Sequence, residues 1–184
     1  MKKVKAIFLD RDGVINRDRG SEYVDRWDKF RFIPGSLKAL RLLKEEGYRV
    51  VVISNQAGVA KGVYSLKELS LLTRRMKEKV EEAGGRLDAV YYCTHQKENR
   101  CTCRKPKTAL FRRAHLRFGI PFKNAFVVGD SVRDIIAGKR LRCRTILVLS
   151  GREKLSRKRE WEVQPDVVKK NLLTAVAWIL KHRS

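Results

Sequence analysis

Short apolar runs alternate with amphipathic helical patterns along this chain, and the alternation limits the fold more than any other feature. The runs are rich in β-branched and aromatic residues and almost continuously apolar, as expected for strands buried on both faces. They are Val4–Leu9, Arg49–Ser54, Ala89–Cys93, Ala125–Gly129 and Thr145–Leu149. Strands that alternate with helices form right-handed βαβ units. The sequence therefore predicts an α/β fold with a three-layer, doubly wound, mainly parallel sheet (Rossmann-like).

The predicted helices have apolar residues that recur on one face. These faces are Leu37, Leu40 and Leu43; Leu69, Leu72, Met76 and Val80; Phe111, Ala114 and Phe118; and Leu172, Val176, Ile179 and Leu180. The chain has 184 residues and contains no internal repeat, low-complexity segment or long linker. We therefore expect a single domain over residues 1–184.

Acidic and hydroxyl side chains follow the predicted strands. Asp10 and Asp12 come after the first strand, Ser54 ends the second, and Asp130 follows the fourth. Ligand sites in such sheets lie beyond the carboxyl ends of the strands, so these side chains should lie close together. Two carboxylates one residue apart repel each other unless a cation or a proton intervenes. With Asp130 they form an oxygen-rich site suited to Mg²⁺.

This site favours phosphoryl transfer. A carboxylate such as Asp10 can attack phosphorus as a nucleophile, while Asp12 can protonate the leaving oxygen and later deprotonate water. The Ser54 hydroxyl and the ammonium of Lys105, which precedes Pro106 at the head of a predicted helix, can bind phosphate oxygens. Magnesium would screen the repulsion between Asp10 and the phosphate. Each residue also has a structural explanation: aspartates form turns and cap helices, and lysines are commonly solvated.

Taken in order, these residues resemble the four motifs of the haloacid dehalogenase-like (HAD) hydrolase superfamily. The motifs are D-x-D-G within Phe8 to Val14, the strand-ending Ser54, the basic Lys105, and G-D-x3-D with Gly129, Asp130 and Asp134. The resemblance implies an HAD-type fold, and the segments between the motifs are too short for a large cap domain. It also implies a role for each acid. Asp10 is nucleophile and metal ligand, Asp12 is acid/base and binds the metal through its carbonyl, Asp130 is a metal ligand, and Asp134 supports the metal site.

Three of the four cysteines lie within eleven residues, together with one histidine. The spacing C-x-H-x5-C-x-C places Cys93, His95, Cys101 and Cys103 in one polar loop over residues 93–103. Three thiolates and an imidazole form a closed tetrahedral zinc set, so the sequence predicts a structural zinc that orders the loop. The alternative is a reduced loop without metal. Cys143 stands apart and is predicted to be a small buried hydrophobic residue.

The cysteine pattern followed by Arg104, Lys105 and Pro106 resembles an HAD subgroup whose members act on heptose bisphosphate or on histidinol phosphate. Residues 55–62 are similar to the heptose branch, which implies hydrolysis of the 7-phosphate of D-glycero-D-manno-heptose 1,7-bisphosphate. The implied substrate-binding residues are Asp18, Arg19, Gly20, Ser21, Asn55, Gln56, Ala57 and Arg104, with Ser131 where some members have lysine. The planar guanidinium of Arg104 suits a second phosphate.

The chain carries 43 basic and 20 acidic residues, a net charge of +23. Such an excess suits a polyanion such as nucleic acid, or it attracts small phosphorylated substrates. The charge leaves a nucleic-acid 3′-phosphatase open as an alternative, and the subgroup resemblance leaves a histidinol-phosphate phosphatase open. A zinc-stabilised binding domain without activity is the third alternative. There is no long apolar run and no signal-peptide pattern. We expect a cytoplasmic monomer or weak dimer that binds a small phosphorylated sugar, with no membrane partner and nucleic acid disfavoured.

Overall fold

A parallel sheet of six strands forms the centre of the structure, a computed structural model that describes residues 4–20 and 22–182. The strands are β1 (Ala6–Leu9), β2 (Arg49–Asn55), β3 (Ala89–Cys93), β4 (Ala125–Gly129), β5 (Arg144–Val148) and β6 (Val167–Lys169). Their order is β3-β2-β1-β4-β5-β6. The predicted α/β fold is confirmed. The sequence prediction missed β6, because three residues are too few for a periodic pattern.

Five α-helices flank the sheet in the described part of the chain. They are α1 (Ser36–Glu45), α2 (Leu66–Glu82), α3 (Ala109–Phe118), α4 (Val132–Arg140) and α5 (Leu172–Lys181). The side chains of Ser65 and Glu68 form a capping box that starts α2. Because α3 begins only at Ala109, Lys105 lies in the segment before this helix rather than at its head.

Alternate residues of each strand point into two different cores, and this makes the three layers. Ile7 and Leu9 of β1 pack in the core that contains apolar residues of α1, α2 and α5. Ala6 and Phe8 face the opposite core, beneath α3 and α4. Every face of the central strands is therefore buried, which explains why their sequences are apolar without alternation.

The strand register brings the predicted site residues to one edge. Leu9 lies opposite both Val52 of β2 and Val128 of β4, so the chain leaves these three strands at nearly the same level. The long connection from β1 to α1 contains isolated bridges and a 3₁₀ turn at Trp27–Lys29, which agrees with the absence of a large cap domain. Among the helices of residues 4–20 and 22–182, none is long and apolar enough to cross a membrane.

Candidate active site and metal centres

Three aspartates converge at the carboxyl ends of β1 and β4. The backbone N–H of Asp10 donates to the Val128 carbonyl at 3.0 Å, which fixes the start of the loop after β1. One carboxylate oxygen each from Asp10, Asp130 and Asp134 lies within 4.8 Å of the other two. The convergence of Asp10 and Asp130 that the sequence predicts is present in the structure. Asp134, expected in a supporting role, belongs to the same group.

A buried lysine, Lys105, contacts this group. Its Nζ lies 3.0 Å from Asp10 Oδ2 and 2.6 Å from Asp134 Oδ1, and it donates to the Ile53 carbonyl at 2.7 Å. Burial lowers the pKa of Lys105, but the charges of Asp10 and Asp134 more than offset this and raise it above the ordinary value. The Asn55 side chain holds the Lys105 backbone through two hydrogen bonds, of 3.0 and 3.2 Å.

Three carboxylates lie beside this one cation, and two of them, Asp10 and Asp130, have raised pKa values. Burial raises the pKa of Asp10 to about 6, although the charge of Lys105 opposes the shift. Burial and the repulsion from Asp10 and Asp134 raise the pKa of Asp130 well above its ordinary value. A divalent cation among these oxygens would favour the ionised form of Asp10 and Asp130 and so lower both pKa values. The donor set therefore fits a hard metal ion.

Two glycines make room for the Asp130 carboxylate. A Cβ on Gly13 would lie 2.2 Å from Asp130 Oδ2, and one on Gly151 would lie 2.1 Å from the same atom. Gly13 also has a φ of +77°, which side-chain-bearing residues rarely adopt. The D-x-D-G pattern therefore needs its glycine both for the turn and for the approach of Asp130.

We expect Gly13→Ala to lower kcat about 100-fold, because displacing a catalytic carboxylate by roughly 1 Å has an effect of this size. Gly119→Ala is the matched control, since Gly119 also has a positive φ, +62°, but a Cβ there meets nothing within 4 Å. Gly119→Ala should lose about 1 kcal/mol of stability because of its positive φ. Gly13→Ala should lose more, because the clash with Asp130 adds to the same backbone cost. Steady-state kinetics and thermal melts of the two variants check this. Equal activity in both would contradict the role assigned to Gly13.

The Asp12 side chain accepts hydrogen bonds from several side-chain donors. Arg11 donates to both of its oxygens, at 2.9 and 3.0 Å, Asn16 donates at 2.8 Å and Gln56 at 2.7 Å. Burial raises the pKa of Asp12, but Arg11 and these hydrogen bonds bring it below the ordinary value. Asp12 is thus an oriented, ionised carboxylate. Among the described residues, its side chain is not part of the three-aspartate group.

Arg11 is completely buried, which the sequence analysis did not foresee. Its guanidinium reaches Gln56 Oε1 at 3.2 Å, and Tyr64 donates to the same oxygen at 2.6 Å. Gln56, predicted to bind substrate, is itself buried in this network and also donates to Ser54 Oγ at 3.1 Å. Its contacts position Asp12 and Ser54.

A cavity of about 380 Å³ opens over Asp10. Among the predicted residues, those that line it are Asp10, Asp12, Ser54, Asn55, Ala57, Arg104, Lys105, Asp130 and Ser131. The described residues Asp18, Arg19 and Gly20 are outside the lining: Asp18 accepts from Arg152 at 3.0 Å, and Arg19 pairs with Glu22. Ser21, also predicted to bind substrate, lies outside the described residues.

Several residues that line the cavity were not predicted from the sequence. They are Tyr23, Lys61, Gln96, Lys97, Glu98, Arg133 and Arg152. Lys61 lies inside the stretch 55–62 that resembles the heptose branch, and Arg152 begins a dense basic stretch, so both carried a usable signal. Arg152 also donates its backbone N–H to Asp130 Oδ2 at 2.9 Å.

The four residues of the cysteine loop form a second candidate metal centre. One ligand atom each from Cys93, His95, Cys101 and Cys103 lies within 4.8 Å of the others, and the three sulfurs are 3.2 to 3.7 Å apart. A tetrahedron with Zn–S bonds of about 2.3 Å has edges of about 3.8 Å, so the cluster fits zinc with small adjustments. Cys143 is buried, as predicted.

Acids at the strand ends of a parallel sheet, with one buried lysine, define the class: this is an HAD-like hydrolase. Residues 102–175 match the HAD-hydrolase-like family. The particular family follows from relatives named D-glycero-beta-D-manno-heptose-1,7-bisphosphate 7-phosphatase, and the chain belongs to it. The Pasteurella multocida protein is 42% identical over 155 residues, 80% of this chain and 83% of that protein. The Helicobacter pylori protein is 37% identical over 176 residues, 95% and 97% of the two chains.

A solved structure gives the same result. The D,D-heptose 1,7-bisphosphate phosphatase of B. bronchiseptica, crystallised with magnesium and phosphate, superimposes with a TM-score of 0.89. It is 30% identical, and the match covers 97% of this chain and 99% of that one. The HAD resemblance inferred from the four motifs is confirmed, and the protein is a phosphomonoester hydrolase.

Proposed function

We propose that this enzyme removes the 7-phosphate of D-glycero-β-D-manno-heptose 1,7-bisphosphate through an aspartyl-phosphate on Asp10. The observation that carries the proposal is the meeting of Asp10, Asp130 and Lys105 at the floor of a cavity with basic walls. The names of the relatives supply the substrate. This substrate has two phosphates, which explains why the cavity contains further cations besides Lys105.

Each residue has a definite task in the two steps. A carboxylate oxygen of Asp10 attacks phosphorus, and the bond from phosphorus to the sugar oxygen breaks. Asp12 gives a proton to that oxygen and later removes one from the water that cleaves the aspartyl-phosphate. Because Asp12 is ionised, it can act directly as the base that removes a proton from water. It must bind a proton before it acts as the acid toward the sugar oxygen. Ser54 and Lys105 bind the oxygens of the transferring phosphoryl group.

We assign Mg²⁺ to the oxygens of Asp10 and Asp130 and the carbonyl of Asp12, with Asp134 in support. When bound, Mg²⁺ neutralises charge on the phosphoryl group. The cysteine loop is assigned a structural zinc. It would hold the segment before Arg104, whose Nη1 donates to the His95 carbonyl at 3.1 Å. Arg104 can then meet the second phosphate in the cavity.

Phosphate release from four substrates, with and without Mg²⁺, tests this function. The panel contains both anomers of the heptose bisphosphate, histidinol phosphate and an oligonucleotide with a 3′-phosphate. We expect the highest kcat/KM for the β-bisphosphate, with no release in the absence of Mg²⁺. A large preference for histidinol phosphate or for the oligonucleotide would overturn the proposed substrate but not the reaction class.

We expect Mg²⁺ to raise the melting temperature at pH 7.5 much more than at pH 5. The pKa of Asp10 is raised from 3.8 to about 6. Without a cation, its ionisation therefore destabilises the folded state as the pH rises through this range, and the penalty is complete above it. At pH 5 the Asp10 carboxylate is mostly protonated and uncharged, so Mg²⁺ binding can restore less stability. Thermal melts at both pH values check this, with Asp130→Asn expected to remove the gain at pH 7.5.

A further inference from the structure

A groove lined by basic side chains extends the catalytic cavity outward between the cysteine loop and α4. It encloses about 500 Å³. We call this space the basic groove. Its exposed or half-buried cations are Lys97, Arg100, Arg104, Lys107, Arg133 and Arg140. Lys97, Arg104 and Arg133 also line the catalytic cavity, so the two spaces are continuous. The described residues that line the groove include no acid.

The cations of the basic groove lack acidic partners in the described part of the chain. Over residues 4–20 and 22–182, none of its six cations forms an ion pair with a carboxylate. On α2, by contrast, Arg74 pairs with Glu78 at 3.7 Å and Lys79 with Glu82 at 2.6 Å. Like charges gathered in one groove repel each other, and a bound polyanion would relieve that repulsion.

Contacts with backbone carbonyls fix some of these side chains in place. Arg140 Nη1 donates to the Pro106 carbonyl at 3.1 Å, and Lys107 Nζ donates to the Arg100 carbonyl at 3.2 Å. A guanidinium has five N–H donors, so one carbonyl contact orients it and leaves others for an anion. The groove is therefore partly organised for binding before a ligand arrives, which reduces the entropy lost on binding.

We propose that the basic groove binds a chain of linked phosphoryl groups, either an inorganic oligophosphate or the polyphosphate of a nucleotide. Six cations that line one groove can contact several anionic groups at once, and guanidinium groups bind phosphate oxygens bidentately. The described lining residues include no aromatic side chain on which bases could stack. This favours a phosphate chain over a single-stranded nucleic acid. Because the groove joins the catalytic cavity at Arg104, a bound chain obstructs the entry of substrate.

Calorimetric titration with tripolyphosphate tests the proposal on the full, metal-loaded chain, at fixed free Mg²⁺ because the ligand chelates this ion. We expect tripolyphosphate to bind at least about tenfold more tightly than orthophosphate, a difference of about 1.4 kcal/mol. The double variant Arg100→Asn/Arg140→Gln should lose about tenfold in affinity or more. Neither residue lines the catalytic cavity, so kcat/KM should not change. Asparagine tolerates the positive φ of Arg100, +46°.

The matched control is Arg74→Gln/Lys79→Gln, which removes the same charge from α2. We expect it to bind tripolyphosphate like the wild type, and an equal loss in both double variants would reduce the effect to net charge and overturn the groove.

ATP separates the two sources: affinity equal to tripolyphosphate identifies the phosphate chain alone, and tighter binding identifies a nucleotide. An oligonucleotide that binds more tightly at the same number of phosphates would overturn the proposal in favour of nucleic acid. No binding of tripolyphosphate would refute it outright. If the double variant melts early, Arg140→Gln alone decides, with a smaller loss expected.

Inhibition gives a second readout. In the wild type, tripolyphosphate should raise KM without changing kcat, and Arg100→Asn/Arg140→Gln should need about tenfold more of it for the same effect. Unchanged sensitivity in this variant would place the inhibitor in the catalytic cavity and contradict the groove. The binding titration does not depend on turnover, so failure of the proposed sugar substrate and failure of the groove are separable.

Discussion

Replacing Asp10 by asparagine is expected to lower kcat for phosphate release by at least about 10⁴-fold, since no other side chain replaces a covalent nucleophile. Asparagine keeps the size and the oxygen that accepts from the Arg11 backbone N–H at 2.7 Å. It removes a buried charge whose pKa burial has raised, and it also removes the oxygen that lies 3.0 Å from Lys105 Nζ. These two effects oppose each other, so we expect only a small change in the melting temperature. Steady-state kinetics and thermal melts measure both effects.

The control is Asp28→Asn, which makes the same chemical change at an exposed ion pair with Arg26. Its activity should equal that of the wild type. Acid quenching during turnover of a substrate with labelled phosphate should leave label on the wild-type chain and none on Asp10→Asn. An Asp10→Asn enzyme with more than about a hundredth of the wild-type kcat would be inconsistent with Asp10 as the nucleophile.

The part of the site that follows from topology could be predicted from the sequence. Asp10 and Asp130 each come directly after an apolar run, and in a parallel sheet the ends of neighbouring strands meet. The register of Leu9 with Val52 and Val128 realises this. The cysteine cluster was predictable for another reason: its ligand atoms come from one short loop, so spacing alone constrains their distances.

The contacts that orient Asp12 could not be predicted in the same way. A buried arginine is rare, and nothing in the pattern D-R-D-G shows that Arg11 turns inward to Asp12 and Gln56. This depends on three segments that meet only in the folded chain: the loop after β1, the end of β2 and the segment with Tyr64. Arg152 illustrates the same limit, because it comes to Asp130 from the connection after β5.

Loss of one ligand of the cysteine cluster should have the largest effect on stability. We expect Cys103→Ser to lower the zinc content from one ion per chain to almost none. A structural zinc contributes folding free energy directly, and a loss of roughly 3 kcal/mol would lower the melting temperature by about 6–12 °C. Cys103 directly precedes Arg104 and Lys105, so the KM for the sugar bisphosphate should rise as well. Metal analysis, thermal melts and kinetics measure the three effects.

Cys143→Ala is the matched control, because it removes a thiol that lies far from the cluster in sequence and is absent from its ligands. Burial raises the pKa of Cys143 to about 12, so it stays a neutral thiol, unlike a metal-bound thiolate. The variant should keep its zinc and lose only about 1 kcal/mol by leaving a small void. The two variants thus separate a packed cysteine from a ligand. If both variants had the same zinc content and the same melting temperature, hydrogen bonds alone would hold the loop. The hydrogen bond to the His95 carbonyl, and not a metal, would then position Arg104.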